Sequence, residues 1–143
     1  MIGYFVKAGD YRLDPYFKPY RLKFRDIIKD HISSKNYGDD LILILVEYHL
    51  EGQFLQLPKE PVSVGRYKKN ERAISVVIGV SRNFQFLSDI EKKQFVVNTT
   101  IAAIQHVKIK MEKMGLTKMD FSQLLEDVQK CAKIYFETEI TSK

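Results

Sequence analysis

The chain has one cysteine, Cys131, in 143 residues. No internal disulfide can form, and a lone thiol cannot supply a zinc cluster, so the chain reads as cytoplasmic. Long apolar runs are also missing. The longest, Leu41 to Val46, is closed by Glu47, whereas a bilayer span needs roughly 20 residues. No basic leader with a signal-length apolar core is readable near Met1, and neither a glycine at position 2 nor a C-terminal prenylation cysteine is present, so neither export nor a lipid anchor is expected. Seven glycines and four prolines are too few for collagen-like or linker-like behaviour. With 45% hydrophobic and 29% charged residues, the composition is that of a folded protein, and the length predicts a single globular domain over 1–143.

Catalytic signatures are absent as well. His31, His49 and His106 show neither HxH nor HExxH spacing, so no metal is expected. No GxxxxGK[ST] or GxGxxG occurs, and Gly65, Gly79 and Gly115 are too far apart to cradle a phosphate, so no nucleotide or other cofactor is expected. Cys131 falls within an apolar stripe, where a thiol behaves as a small hydrophobe. The nearest approach to acid/base chemistry is Glu47 and His49, alternate residues on one face of a strand, with Glu51 as a possible third member. Simple alternation on a half-buried strand produces the same polar row. The reading is therefore not an enzyme, with a small hydrolase using Glu47 and His49 as an alternative.

What the chain does have is positive charge and aromatic residues. The net charge is +5 with a pI near 9.2, and the excess is spread. The densest stretch, Arg66-Tyr-Lys-Lys-Asn-Glu-Arg72, holds four cations, one acid and a tyrosine in seven residues. It fits a phosphate-contacting loop or a lysine-guarded edge strand or turn. Aromatic and basic residues also interleave at Tyr11-Arg12 and Tyr16 to Arg21, as on stacking surfaces for single strands. A basic single-stranded nucleic-acid-binding protein is thus a second alternative.

Hydrophobic periodicity orders the elements. Ile2 to Lys7 predicts a short strand. After Pro15 and Pro19, both read as breakers, Tyr20, Phe24, Ile27, Ile28, His31 and Ile32 recur at helical steps, and Asn36-Tyr37-Gly38 supplies a stop. Leu41 to Leu50 predicts a strand buried on both faces at one end and half exposed at the other, Gln53 to Leu57 its hairpin partner, and Ala73 to Ser81 a third long strand. Ser88-Asp-Ile-Glu91 is a capping box opening a long central helix that ends at Gly115, and a last helix begins near Asp120. The expected fold is α+β: an antiparallel sheet of about four strands, with one N-terminal helix and two long C-terminal helices packed on it.

This layout, with an opening strand, an aromatic-rich segment, central strands at 41–57 and 73–81 and two closing helices from Ser88 and Asp120, resembles that of small bacterial toxin-immunity proteins, including those of contact-dependent inhibition. The resemblance implies a non-enzymatic inhibitor that binds one cognate toxin and covers its active site. Many such proteins are acidic, whereas this chain is basic. A partner-binding surface is sought among tyrosines and cations, which contribute most to interfaces; the candidates are Tyr11, Arg12, Tyr16, Arg66, Tyr67 and Lys68.

Overall fold

The computed structural model describes residues 3–8, 14–50 and 62–140. They form β1 (Gly3–Ala8), α1 (Asp14–Ile32), β2 (Leu43–Leu50), β3 (Val62–Lys68), β4 (Ala73–Val80), a short 3-10 turn (Arg82–Phe86), α2 (Asp89–Lys113) and α3 (Phe121–Phe136). The strands make one sheet in the order β1-β2-β4-β3. β2 is flanked in parallel on both sides, by β1 and by β4, and only β3 runs antiparallel to its neighbour.

The mixed sheet corrects the antiparallel arrangement expected from the sequence. Residue types specify that a segment is a strand, whereas its direction follows from the connections. β1 reaches β2 through the α1 crossover, and β2 reaches β4 only after an excursion that includes β3, so both return in the same sense. The hairpin strand expected at 53–57 lies outside the described residues. The hairpin partner of β4 is Val62–Lys68, the stretch whose basic half the sequence offers either as a loop or as a guarded edge.

α1 begins at Asp14, six residues before the expected start at Tyr20. Pro15 occupies the first turn, where its missing amide leaves no bond unmade. Pro19 forfeits a bond only to a carbonyl of that same terminal turn. Packing holds the added turns in place: Phe17 is fully buried, with its ring 4.5 Å from Tyr48 and 5.0 Å from Phe84. Further along, Phe24, Ile27, Ile28 and Ile32 enter the core. His31, expected on that stripe, is exposed, with Nδ1 2.9 Å from the Ile27 carbonyl. The chain leaves the helix through Gly38 at φ +121°, where a Cβ would stand 2.8 Å from Met119 Sδ, so glycine is required there on both conformational and steric grounds.

The two C-terminal helices start where their caps direct. Ser88 Oγ accepts from the Glu91 amide at 3.2 Å while Glu91 Oε1 accepts from the Ser88 amide at 3.2 Å, and Asp120 Oδ1 accepts from the Gln123 amide at 3.0 Å. These contacts satisfy amides that have no partner within the helix. α2 is central, touching α1, α3, β3 and β4. α3 lies across α1 and α2, with the Tyr135 ring 4.8 Å from Phe24 and its hydroxyl donating to the Tyr20 carbonyl at 3.0 Å.

Two polar contacts pin these layers. Asp127 is 3% exposed and accepts from Tyr37 at 2.6 Å, Gln123 at 3.0 Å and Lys35 at 3.2 Å. Burial alone would raise its carboxyl, but the three donors outweigh burial and hold it below the ordinary carboxylate range. Lys93, also buried, donates to the Thr138 carbonyl at 2.6 Å and lies 3.5 Å from Asp89. Asp89 in turn accepts from Tyr20 at 2.7 Å, so α1, α2 and the C-terminal segment share one network.

Candidate functional site

Alternation along the strands divides the sheet into two unlike faces. Ile44, Val46 and Tyr48 of β2 and Ile74, Val76, Ile78 and Val80 of β4 are buried beneath the helices. The intervening residues, Leu43, Leu45, Glu47 and His49 on β2 and Ser75, Val77 and Gly79 on β4, are only half-buried. α1 and α2 pack on the first face and α3 lies across them, so the second is open among the described residues. This differs from the expectation that β2 is buried on both faces at its apolar end. Leu43 and Leu45 face outward, and a run of leucine and isoleucine carries no mark of that.

β4 gives the open face a low centre. Its outward side chains from Ser75 on are small, and at Gly79 a Cβ would meet nothing within 4 Å. On β3 the register slips between Val64 and Tyr67, and Gly65 lies so close to Ser75 that a Cβ would come within 3.3 Å of its carbonyl oxygen. Bulges of this kind bend an edge strand and blunt it against pairing. Tyr67 pairs with Ile74 and turns inward, which leaves Arg66 and Lys68, on either side of it, exposed along the open face.

The turn that follows is clamped to the chain entering β2. The Tyr67 hydroxyl donates to the Asp40 carbonyl, and Arg72 Nη1 donates to the Asp39 carbonyl at 3.2 Å. The Arg72 carbonyl accepts from the Ile42 amide at 2.8 Å, and Arg72 itself takes φ 50°. Burial pushes the Tyr67 phenol up, with the Asp40 charge adding to the effect. Arg66 to Glu71 line a concavity of about 400 Å³. Lys68 reaches Glu71 only at 3.9 Å, with both largely exposed, so its charge remains available.

The expected binding residues are thus placed in different surroundings. Arg66 and Lys68 are exposed together on the β3–β4 hairpin. Tyr67, 9% exposed, anchors that hairpin. Tyr16, 47% exposed, lies in the first turn of α1, beside Phe17 and hence at the Tyr48 end of the sheet, about 20 Å from the hairpin for strands of this length. Tyr11 and Arg12 lie outside the described residues. Leu43, Leu45, Ser75 and Val77 go unmarked in the sequence, since only the placement of the helices leaves them uncovered.

For catalysis, the structure brings together one pair among the described residues. His49 Nε2 and Glu47 Oε2 are 3.2 Å apart on the open face; Glu51, the proposed third member, lies outside the described residues. No group of three or more His, Cys, Asp or Glu is arranged to hold a metal ion among the described residues. The Cys131 thiol is buried and pushed up to about 11, chiefly by burial and then by Asp127, so it is protonated at neutral pH and a poor nucleophile. No described helix is long and apolar enough to cross a membrane.

No curated protein and no solved structure matches the chain significantly. Against known protein families, residues 15–134 match the family described as Immunity protein 44. That span takes in everything described from α1 through most of α3, including the open face and the basic hairpin, and the chain belongs to this family of toxin-immunity proteins.

Proposed function

We propose that the protein is an immunity protein that binds and neutralises one cognate toxin, acting in the cytoplasm as a single domain, making and breaking no covalent bond, within a contact-dependent inhibition system. Family membership over residues 15–134 supports this reading. The site chemistry is in keeping with it: a Glu47–His49 pair and a protonated, buried thiol offer little to a substrate, whereas an open sheet face beside a rigid cationic hairpin offers shape and donors to a macromolecule. Arg66 and Lys68 are the proposed contact residues, with Tyr67 holding the hairpin that carries them. Tyr16, away from the hairpin, is proposed as a second contact, and Tyr11 and Arg12 are proposed contact residues as well.

The test is whether the reading frame just upstream encodes the C-terminal end of a large secreted toxin, followed by co-expression of the two. Growth arrest by the toxin alone and recovery with this protein, together with co-purification of the two, is the expected result. Arrest that persists whether or not the protein is present overturns the reading. A substrate panel addresses the hydrolase alternative: no turnover is expected, and turnover lost on Glu47→Gln with His49→Ala would establish an enzyme instead.

A further inference from the structure

We infer that the sheet face left uncovered among the described residues is the docking surface, and that its occupant is an acidic protein segment laid along β4 with its carboxylates against Arg66 and Lys68. The inference rests on the immunity reading for the existence of a protein partner and adds the place and chemistry of contact.

Three observations lead there. The face is graded: cationic at the β3 edge, small and low along β4, apolar at Leu43 and Leu45 of β2. Leucines flanking a floor of small residues give an extended chain apolar contact, and the adjacent cations give it register. The cations also outnumber the acids around them. Among the described residues, four cations, Arg66, Lys68, Lys69 and Arg72, gather where three carboxylates lie near, Glu71 at 3.9 Å from Lys68 and those of Asp39 and Asp40 beside the clamp, while Glu47 is held against His49 at 3.2 Å. A focused positive rim selects and steers an anionic partner. Finally, the rim is rigid. Tyr67 and Arg72 fasten the hairpin to Asp40 and Asp39, so little ordering cost remains to be met on binding. Four strands of this length present about 20 by 25 Å, a large part of the roughly 800 Å² per partner that a stable complex buries.

The probe is the product of the adjoining upstream reading frame, which the immunity reading expects to be the toxin. Arg66→Glu with Lys68→Glu is expected to weaken binding by about a hundredfold, mainly through slower association, and to flatten its salt dependence. Gly79→Tyr places a ring where the free protein has open space, and is expected to weaken binding at least about tenfold with an unchanged unfolding midpoint. Lys130→Glu with Lys133→Glu makes the same charge change on the exposed side of α3 and is expected to leave affinity within about threefold. If wild-type protein neither binds nor protects, the immunity reading fails and takes this inference with it. If wild type binds but both face variants match the α3 control, the docking surface is wrong while the immunity reading stands. Salt-sensitive retention of wild type on a single-stranded oligonucleotide, lost on reversing Arg66 and Lys68 while toxin binding is unchanged, assigns the hairpin to nucleic acid and likewise overturns the inference.

Discussion

The two faces of the sheet are built from the same strands, residue by residue in alternation, yet one is uniformly apolar and buried and the other mixed and half-buried. Beneath the helices lie Ile44, Val46, Tyr48, Ile74, Val76, Ile78 and Val80, all at or below 1% exposure. Facing away are Leu43, Leu45, Glu47, His49, Ser75, Val77 and Gly79, a mixture of apolar, small and polar residues, and only half-buried. Parallel strands ordinarily have both faces covered. Here β1, β2 and β4 are parallel, and the described helices cover one. The difference teaches that one sheet can divide its work across its thickness: one set of side chains holds the helices, and the other, uncovered among the described residues, is the surface proposed above for a partner.

Substitution tests that separation most sharply where the expected loss is greatest. Phe17→Ala, which removes a ring packed on Tyr48 and Phe84, is expected to cost about 3–5 kcal/mol in urea unfolding. Val77→Ser on the opposite face is expected to cost less than about 1 kcal/mol in the same measurement. Equal losses would show that the second face is covered after all. Asp127→Ala, which strands the Tyr37 and Gln123 donors, is expected to cost about 2–3 kcal/mol by the same method.

Acid titration examines the same carboxylate from another side. The folded Asp127 carboxyl lies below its ordinary value because its donors outweigh burial. Its contribution is therefore fully present above the ordinary carboxylate range and is lost as pH falls below about 4 and through the folded value. Asp127→Asn should flatten the acid limb of stability against pH, measured by thermal unfolding between pH 2 and 7. Ser88→Ala, removing the cap of α2, is expected to cost about 1 kcal/mol in urea. The smallest effect belongs to Arg66→Glu with Lys68→Glu, expected to change folding stability by less than about 0.5 kcal/mol even as partner binding collapses.

The helices were legible to different depths. Ser88 with Glu91 and Asp120 with Gln123 mark starts that the structure reproduces, because a cap is a local contact between residues three apart. The start of α1 was hidden, because local rules read Pro15 and Pro19 as breaks while Phe17 is buried against residues far along the chain. Ile90, which the helical period of α2 places among the apolar residues, is 49% exposed at the first turn, since periodicity predicts a stripe but not where the neighbouring helix ends. Among the candidate contact residues, composition singled out the Arg66 to Arg72 stretch without distinguishing Tyr67, which turns inward, from the cations beside it.

Local chemistry in the sequence was enough to specify strands at β2 and β4, the caps of α2 and α3, the stop of α2 and the basic turn, because each depends on residues within a few positions of one another. Strand direction, the extra turns of α1, the inward turn of Tyr67 and the open side of the sheet were decided only by the tertiary structure. These depend on which element packs against which, a long-range balance of burial that no window of neighbouring residues contains.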